Sequence, residues 1–292
     1  MRVIITGTTG FLGSHIARSF VDADHDVHGA DRRPDAAPVP SVAANLLDPD
    51  SLREAFTGAD VVVANAALAP GRATASAQDF DDANITGTRN TLDAAVAAGV
   101  RRVVLISTIA VYRTSLRHPM DEGHQTRDGT ERFDWNALTT RPGYSRSKAA
   151  AEKVAWTYAD RLELAVLRPG PIYGPRDGKL TVRYHNWAAR RVIVAPTVRL
   201  PHVHGADVGD LAVLAATDDA AVGEAFNVAG DHLRVADVLR HWRPIAGGGR
   251  VVPVPVPLGV VIDDAKARRV LGWSPRPWQE RVEDAAAWAA AR

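Results

Sequence analysis

Short runs of β-branched residues alternate along this chain with longer Ala-, Leu- and Arg-rich stretches whose apolar positions recur with helical period. The runs RVIIT, HDVHGA, VVVANA, RRVVLIS and LELAVLR read as five strands. Between them FLGSHIARSFVDA, DPDSLREAF, DFDDANITGTRNTLDAAVAAG and GYSRSKAAAEKVAWTYADR read as helices. Such alternation marks βαβ units and predicts an α/β fold built on a doubly wound parallel sheet. Ser51 with Glu54 fits a capping box at the start of the second helix. After about Arg168 the alternation fades and Pro and Gly become frequent. AGGGRVVPVPVPLG there reads as a loop feeding an extended edge segment. The pattern predicts a sheet domain over residues 1–168 and a smaller C-terminal substrate lobe over residues 169–292, with segments crossing back to the main domain.

One connection is out of proportion. Residues 113–142 show no period and exceed the ~12–15 residues beyond which an irregular loop is functional or disordered. The segment leaves the fourth strand and returns at the helix opening with Tyr144. That puts it at the carboxyl edge of the sheet, where open α/β folds bind ligands. A mobile surface excursion is the competing reading.

VIITGTTGFLGSHIA sets Gly7, Gly10 and Gly13 where the first strand meets the first helix. Glycine permits the tight turn, the approach of main chain to a pyrophosphate and close packing of helix on strand. The helix N-terminus adds free N–H groups and a positive dipole end. Three glycines can also serve packing alone, so Asp31 matters: at the end of the second strand its carboxylate can accept hydrogen bonds from adenosine ribose hydroxyls. A carboxylate repels a 2′-phosphate and favours NAD, while Arg32 and Arg33 keep NADP open, because a guanidinium grips such a phosphate. The candidate cofactor-binding set is Gly7, Gly10, Phe11, Leu12, Gly13, Asp31, Arg32, Asn45, Leu46, Ala66, Asn84 and Lys148.

Composition narrows the partners. The 292 residues carry 35 Lys plus Arg against 34 Asp plus Glu, a net charge of +1, which gives no whole-molecule field for nucleic acid or an anionic membrane. The absence of cysteine excludes disulfides, thiolate metal sites and a cysteine nucleophile. The N-terminal apolar run is too short for a signal segment, and no stretch of about 18 apolar residues follows. A cytoplasmic protein with a small-molecule substrate, and no nucleic-acid or membrane partner, is expected. His202 and His204 stand two apart without a third clustered ligand, so no metal is expected.

Only four lysines occur, Lys148, Lys153, Lys179 and Lys266, and one of them falls four residues after Tyr144, on the same helix face. A phenol is a poor base at neutral pH, but a fixed ammonium and a cationic nicotinamide both favour phenolate. Lysine also suits hydrogen bonding to ribose as a compact donor. Ser107 and Thr108 end the fourth strand, where a hydroxyl can hold a substrate oxygen while Tyr144 moves its proton. Satisfying local backbone is the alternative for either hydroxyl.

TGTTGFLG, NITGTRNTLDAAVAAGVRRVVLIST, GYSRSK, LRPGPIYGPR, HVHGADVGDLAVLA, GEAFNVAG and DDAKARRVLGW together resemble the extended short-chain dehydrogenases/reductases, in particular the NAD-dependent epimerase/dehydratase family. The resemblance covers almost the whole chain. It implies a Rossmann-type domain, Tyr144 as catalytic acid/base, Lys148 as its activator, Thr108 as the hydroxyl partner and Asn84 as a structural residue near the cofactor. It also implies a homodimer, with the helices around 79–98 and 143–160 paired across a two-fold axis. Departures narrow the chemistry. Thr108, Ile109 and Ala110 replace the Thr-Asp-Glu of sugar-nucleotide 4,6-dehydratases, so that elimination is rejected. Pro171 and Leu200 stand where nucleotide-sugar epimerases commonly carry Asn and Arg. Asn45 stands where an aspartate often meets adenine, and Arg113 replaces a glycine. Arg113, Arg176 and His202 are the candidate substrate residues.

The expected function is an NAD(P)-dependent oxidoreductase acting at a secondary alcohol or ketone of a sugar-like or other small carbonyl substrate. A redox-neutral epimerase with retained NAD is the alternative. A silent nucleotide-binding sensor is a third reading, opposed by the presence of Thr108, Tyr144 and Lys148 together.

Overall fold

A computed structural model describes residues 1–69, 75–113, 115–116, 118–128, 143–256 and 258–292. Its centre is a seven-stranded sheet of β1 (Arg2–Thr6), β2 (Asp26–Asp31), β3 (Ser41–Ala43), β4 (Val61–Ala64), β5 (Arg102–Ile106), β6 (Glu163–Pro169) and β10 (Glu224–Val228). The order is β10-β6-β5-β4-β1-β2-β3 and every pairing is parallel. Five of these strands are the expected ones. β3 is only three residues long, and β10 returns from the far end of the chain to lie beside β6, Phe226 opposite Leu167.

Alternation along the strands divides the core in two. Val3, Ile5, Val61, Val63, Val104 and Leu167 face a layer with α1 (Phe11–Asp22), α7 (Gly205–Thr217) and α9 (Ala265–Leu271). Ile4, Val62, Val103, Leu105, Leu164 and Val166 face α2 (Pro49–Phe56), α4 (Gly87–Ala97) and α5 (Tyr144–Trp156). A sheet buried on both faces needs apolar residues at consecutive positions, which is why these strands read as continuous apolar runs. Beyond β6 the chain builds a separate core from α6 (Leu180–Ala188), α8 (Val235–Trp242), α10 (Trp278–Ala290) and β8 (Val192–Pro196). β12 (Arg250–Val254), the expected extended segment, pairs only with β8. A third sheet, β11-β9-β7, comprises Asp231–Arg234, Arg199–His204 and Ile172–Tyr173.

Two local expectations are corrected. α2 is capped by Asp48, whose carboxylate accepts from the Asp50 and Ser51 N–H groups. Ser51 therefore lies inside the first turn, where its hydroxyl donates to the Asp48 carbonyl. The helix expected over DFDDANITGTRNTLDAAVAAG is α3 (Ala77–Asp81), a π-turn at Asp82–Thr86 and α4 in unbroken succession. The long connection is described only to residue 128, and 129–142 lie outside the described residues. Its described part is pinned by bridges of Tyr112 with Thr126 and of Met120 with Ile262.

Candidate active site

The strand order reverses between β1 and β4, and there the carboxyl ends of the strands open into a cleft of about 1970 Å³. Pockets for one small ligand run to roughly 300–1,000 Å³, so two ligands fit side by side. The position is the one ligands take in open α/β sheets.

On one side stands the glycine turn. Gly7 has φ of +77°, and a Cβ on Gly13 would lie 2.1 Å from the Gly7 carbonyl oxygen, so helix and turn pack at a distance only glycine allows. α1 begins at Gly10 with no capping side chain and no acidic residue in its first turn, leaving N–H groups and the positive end of the dipole to an anion. Thr6 closes the floor: its hydroxyl accepts from the Asn65 and Ala66 N–H groups, tying the end of β4 to β1. At the tip of β2, Asp31 Oδ2 accepts from the Thr9 N–H at 3.0 Å and the Thr9 hydroxyl at 2.8 Å, and Oδ1 accepts from the Arg33 N–H. Burial alone would raise this carboxyl, but the Thr9 and Arg33 hydrogen bonds hold it below the usual carboxylate range. An anion-ready helix end, a glycine-lined approach and an ionised acceptor 21 residues after Gly10 together fit a dinucleotide.

Across the cleft is α5. Gly143, at φ of +94°, starts it, and its packing against Ala77 and Phe80 sets the entry of Tyr144. The Phe80 ring meets the Tyr144 ring edge-on at 6.0 Å. Burial pushes the Tyr144 phenol up to about 12, with the Thr108 hydroxyl opposing. One turn on, the buried Lys148 donates from Nζ to the Ile106 carbonyl at 2.9 Å. Burial lowers its amine to about 8, opposed by the charge of Glu152. The two strand-end hydroxyls differ: Thr108 lines the cleft, its hydroxyl accepting from the Ala110 N–H at 3.2 Å and donating to the Pro169 carbonyl at 3.5 Å, whereas Ser107 donates to Glu152 Oε2 at 2.5 Å.

That bond opens a buried polar network which sequence reasoning missed. Glu152 pairs with Arg168, whose Nη1 donates to the Tyr112 hydroxyl at 2.7 Å, and Tyr112 donates to Asn227 Oδ1 at 2.7 Å. Burial opposes the Arg168 charge, yet the hydrogen bonds and charge of Glu152 hold the guanidinium ionised. Strand ends β5, β6 and β10 are thus locked to α5 directly beneath Lys148.

The cleft gathers Gly7, Gly10, Phe11, Leu12, Gly13, Asp31, Arg32, Asn45, Leu46, Ala66, Thr108, Tyr144, Lys148 and His202 along its wall. Asn45 uses its amide oxygen to accept from the Leu47 N–H. His202 Nδ1 donates to the Leu200 carbonyl, and its Nε2 accepts from the Tyr184 hydroxyl; burial holds the ring neutral, down to about 4. Both its nitrogens are therefore engaged within the fold. Three candidates lie outside the lining. Asn84 on the π-turn bonds Leu68 and Ser147, Arg113 forks onto Asp128, and Arg176 donates to the Thr9 carbonyl over the glycine turn. Sequence reasoning also missed Thr9 and the cations Lys179 and Arg183 on the cleft wall.

Such a glycine turn facing a Tyr-Lys helix across one cleft fits a nucleotide-dependent enzyme. Residues 3–229 match the model of the NAD dependent epimerase/dehydratase family, and the chain belongs to that family. The chain is 32% identical over 188 residues to a 2-alkyl-3-oxoalkanoate reductase of Stenotrophomonas maltophilia, a match spanning 63% of this chain and 54% of that protein. The match thus spans about half the length of that relative. Among solved structures, UDP-glucose 4-epimerase superposes with a TM-score of 0.84 at 20% identity, covering 100% of this chain and 98% of that one. A short-chain dehydrogenase/reductase superfamily protein from Agrobacterium tumefaciens with bound NAD gives 0.82 at 21%, with the same coverage. At such identity these two establish the shared fold. The family is NAD-dependent, and among the described residues no helix is long and apolar enough to cross a membrane.

Proposed function

We propose that this chain is an oxidoreductase that moves hydride between NAD and a secondary alcohol or ketone of a small substrate, with Tyr144 transferring the proton. The observation that carries this reading is that Thr108, Tyr144 and the buried Lys148 line one cleft with the glycine turn, Lys148 being held by the Ile106 carbonyl. The reductase named among the relatives supports reduction of a ketone.

The α1 first turn would hold the pyrophosphate, Asp31 the adenosine ribose, Asn45 and Leu46 the adenine edge and Lys148 the second ribose. When bound, the nicotinamide supplies or accepts the hydride. Thr108 fixes the substrate oxygen against the phenol. Tyr144, a neutral phenol at pH 7 in this structure, is set to give its proton to that oxygen as a carbonyl becomes an alcohol. In the reverse direction it takes the proton back, and a neighbouring ammonium lowers the cost of the phenolate. Lys148 Nζ spends one of its three N–H groups on Ile106 and keeps two for this work.

The test is to denature fresh protein, identify released nucleotide by chromatography and mass, then titrate NADH and NADPH and screen carbonyl compounds. An exchangeable site that binds NADH and oxidises it with a carbonyl compound is expected. Stoichiometric, non-exchanging NAD would instead assign the redox-neutral epimerase reading.

A further inference from the structure

We propose that the substrate carries an anionic group, a carboxylate or phosphate, and that Lys179 and Arg183 hold it. The proposal rests on the reading that this cleft takes the substrate.

Lys179 immediately precedes α6 and Arg183 lies four residues on, so the two are neighbours on one helical face. Both side chains line the cleft that contains Tyr144. The opposite face of α6 is fixed: Thr181, Tyr184 and Ala188 are buried, and the Thr181 hydroxyl accepts from the Gly174 N–H at 3.0 Å. The cationic face therefore cannot rotate away from the cleft without unpacking the lobe.

Arg102, Arg168, Arg268 and Arg281 each have a carboxylate partner, whereas no described carboxylate forms an ion pair with Arg183. One anion lines the cleft beside the pair, Asp177. Its two oxygens accept the Lys179 and Thr181 N–H groups, so it caps α6 while its charge acts on Lys179. Arg183 is thus expected to carry the larger share. Burial pushes the Lys179 amine down despite Asp177, a cost that a bound anion would offset. The cleft wall also includes the apolar Leu180, Leu200, Pro201 and Ile172, which raise the worth of a charge-assisted bond within it.

The deciding experiment is calorimetric titration of inorganic phosphate into the NADH-saturated full chain, for wild type, Arg183→Gln, Lys179→Gln and the double variant, with Arg53→Gln as a remote control. We expect the dissociation constant to rise about tenfold or more in Arg183→Gln, less in Lys179→Gln, and not at all in the control. Unchanged phosphate affinity in the double variant, with its melting temperature retained, would overturn the proposal. A second arm compares NADH oxidation by 4-oxopentanoate and its methyl ester. Preference for the acid that is lost in Arg183→Gln through KM supports the site, and equal use of acid and ester by wild type counts against it. If neither compound oxidises NADH, the hydride reading loses support while the phosphate titration still decides the anion site.

Discussion

The floor and the rim of the cleft treat charge in opposite ways. Beneath Lys148 the cations and anions are dry and matched: Ser107, Glu152, Arg168, Tyr112 and Asn227 form one connected set, with Arg168 and Glu152 both about 95% buried. At the rim Arg32 and Arg183 are exposed along the cleft wall. A buried unpaired charge costs several kcal/mol, so the floor must be satisfied by the fold itself and serves to fix geometry. Water covers that cost for Arg32 and Arg183 at the rim. Stability thereby falls to the floor, and under the proposed function recognition falls to the rim.

Substitutions can break this contrast. The largest effect is expected for Arg168→Leu, which strands Glu152 as a dry carboxylate and should destabilise the chain by about 3–5 kcal/mol; urea unfolding measures it, and a loss below 1 kcal/mol would mean that water reaches Glu152. Next comes Lys148→Met. Lys148 is charged in the unfolded chain up to about 10.5 but in the folded protein only up to about 8, so between these values the unfolded state binds more protons and stability rises with pH. Below pH 8 the full penalty applies, about 3 kcal/mol at ~1.4 per unit. The methionine variant should therefore be more stable than wild type at pH 7, converge with it by pH 10.5, and lose turnover. A melting temperature below that of wild type at pH 7 would sink the sign. Asp31→Asn should weaken NADH about tenfold and narrow its advantage over NADPH, as fluorescence titration can show. Arg183→Gln sharpens the contrast from the other end: at the rim it should change unfolding free energy by no more than about 0.5 kcal/mol.

The parts of the site set by local spacing were legible in the sequence. Gly7, Gly10 and Gly13 follow one strand and open one helix, and Tyr144 and Lys148 share a helix face, so neither needs knowledge of distant pairing. The five internal strands were legible for the same reason. β3 was not, because three residues carry no period, and β10 was not, because its place beside β6 depends on a return across more than fifty residues. The floor network was only half visible. Glu152 falls four residues after Lys148 on a face otherwise rich in alanine, a sign that its charge needs a partner, but Arg168, Tyr112 and Asn227 come from three other segments. Rim residues carried the weakest signal. Arg113 and Arg176 were singled out for position in sequence, while side-chain direction along α6 brings Lys179 and Arg183 to the cleft instead.

The measurement that bears most directly on the central claim is turnover and NADH affinity of Tyr144→Phe, made on a carbonyl substrate found in the screen. The account predicts an NADH dissociation constant within about twofold of wild type and turnover lower by ~10² or more, the scale of general acid/base catalysis. Turnover equal to wild type would contradict the assignment of the proton to Tyr144.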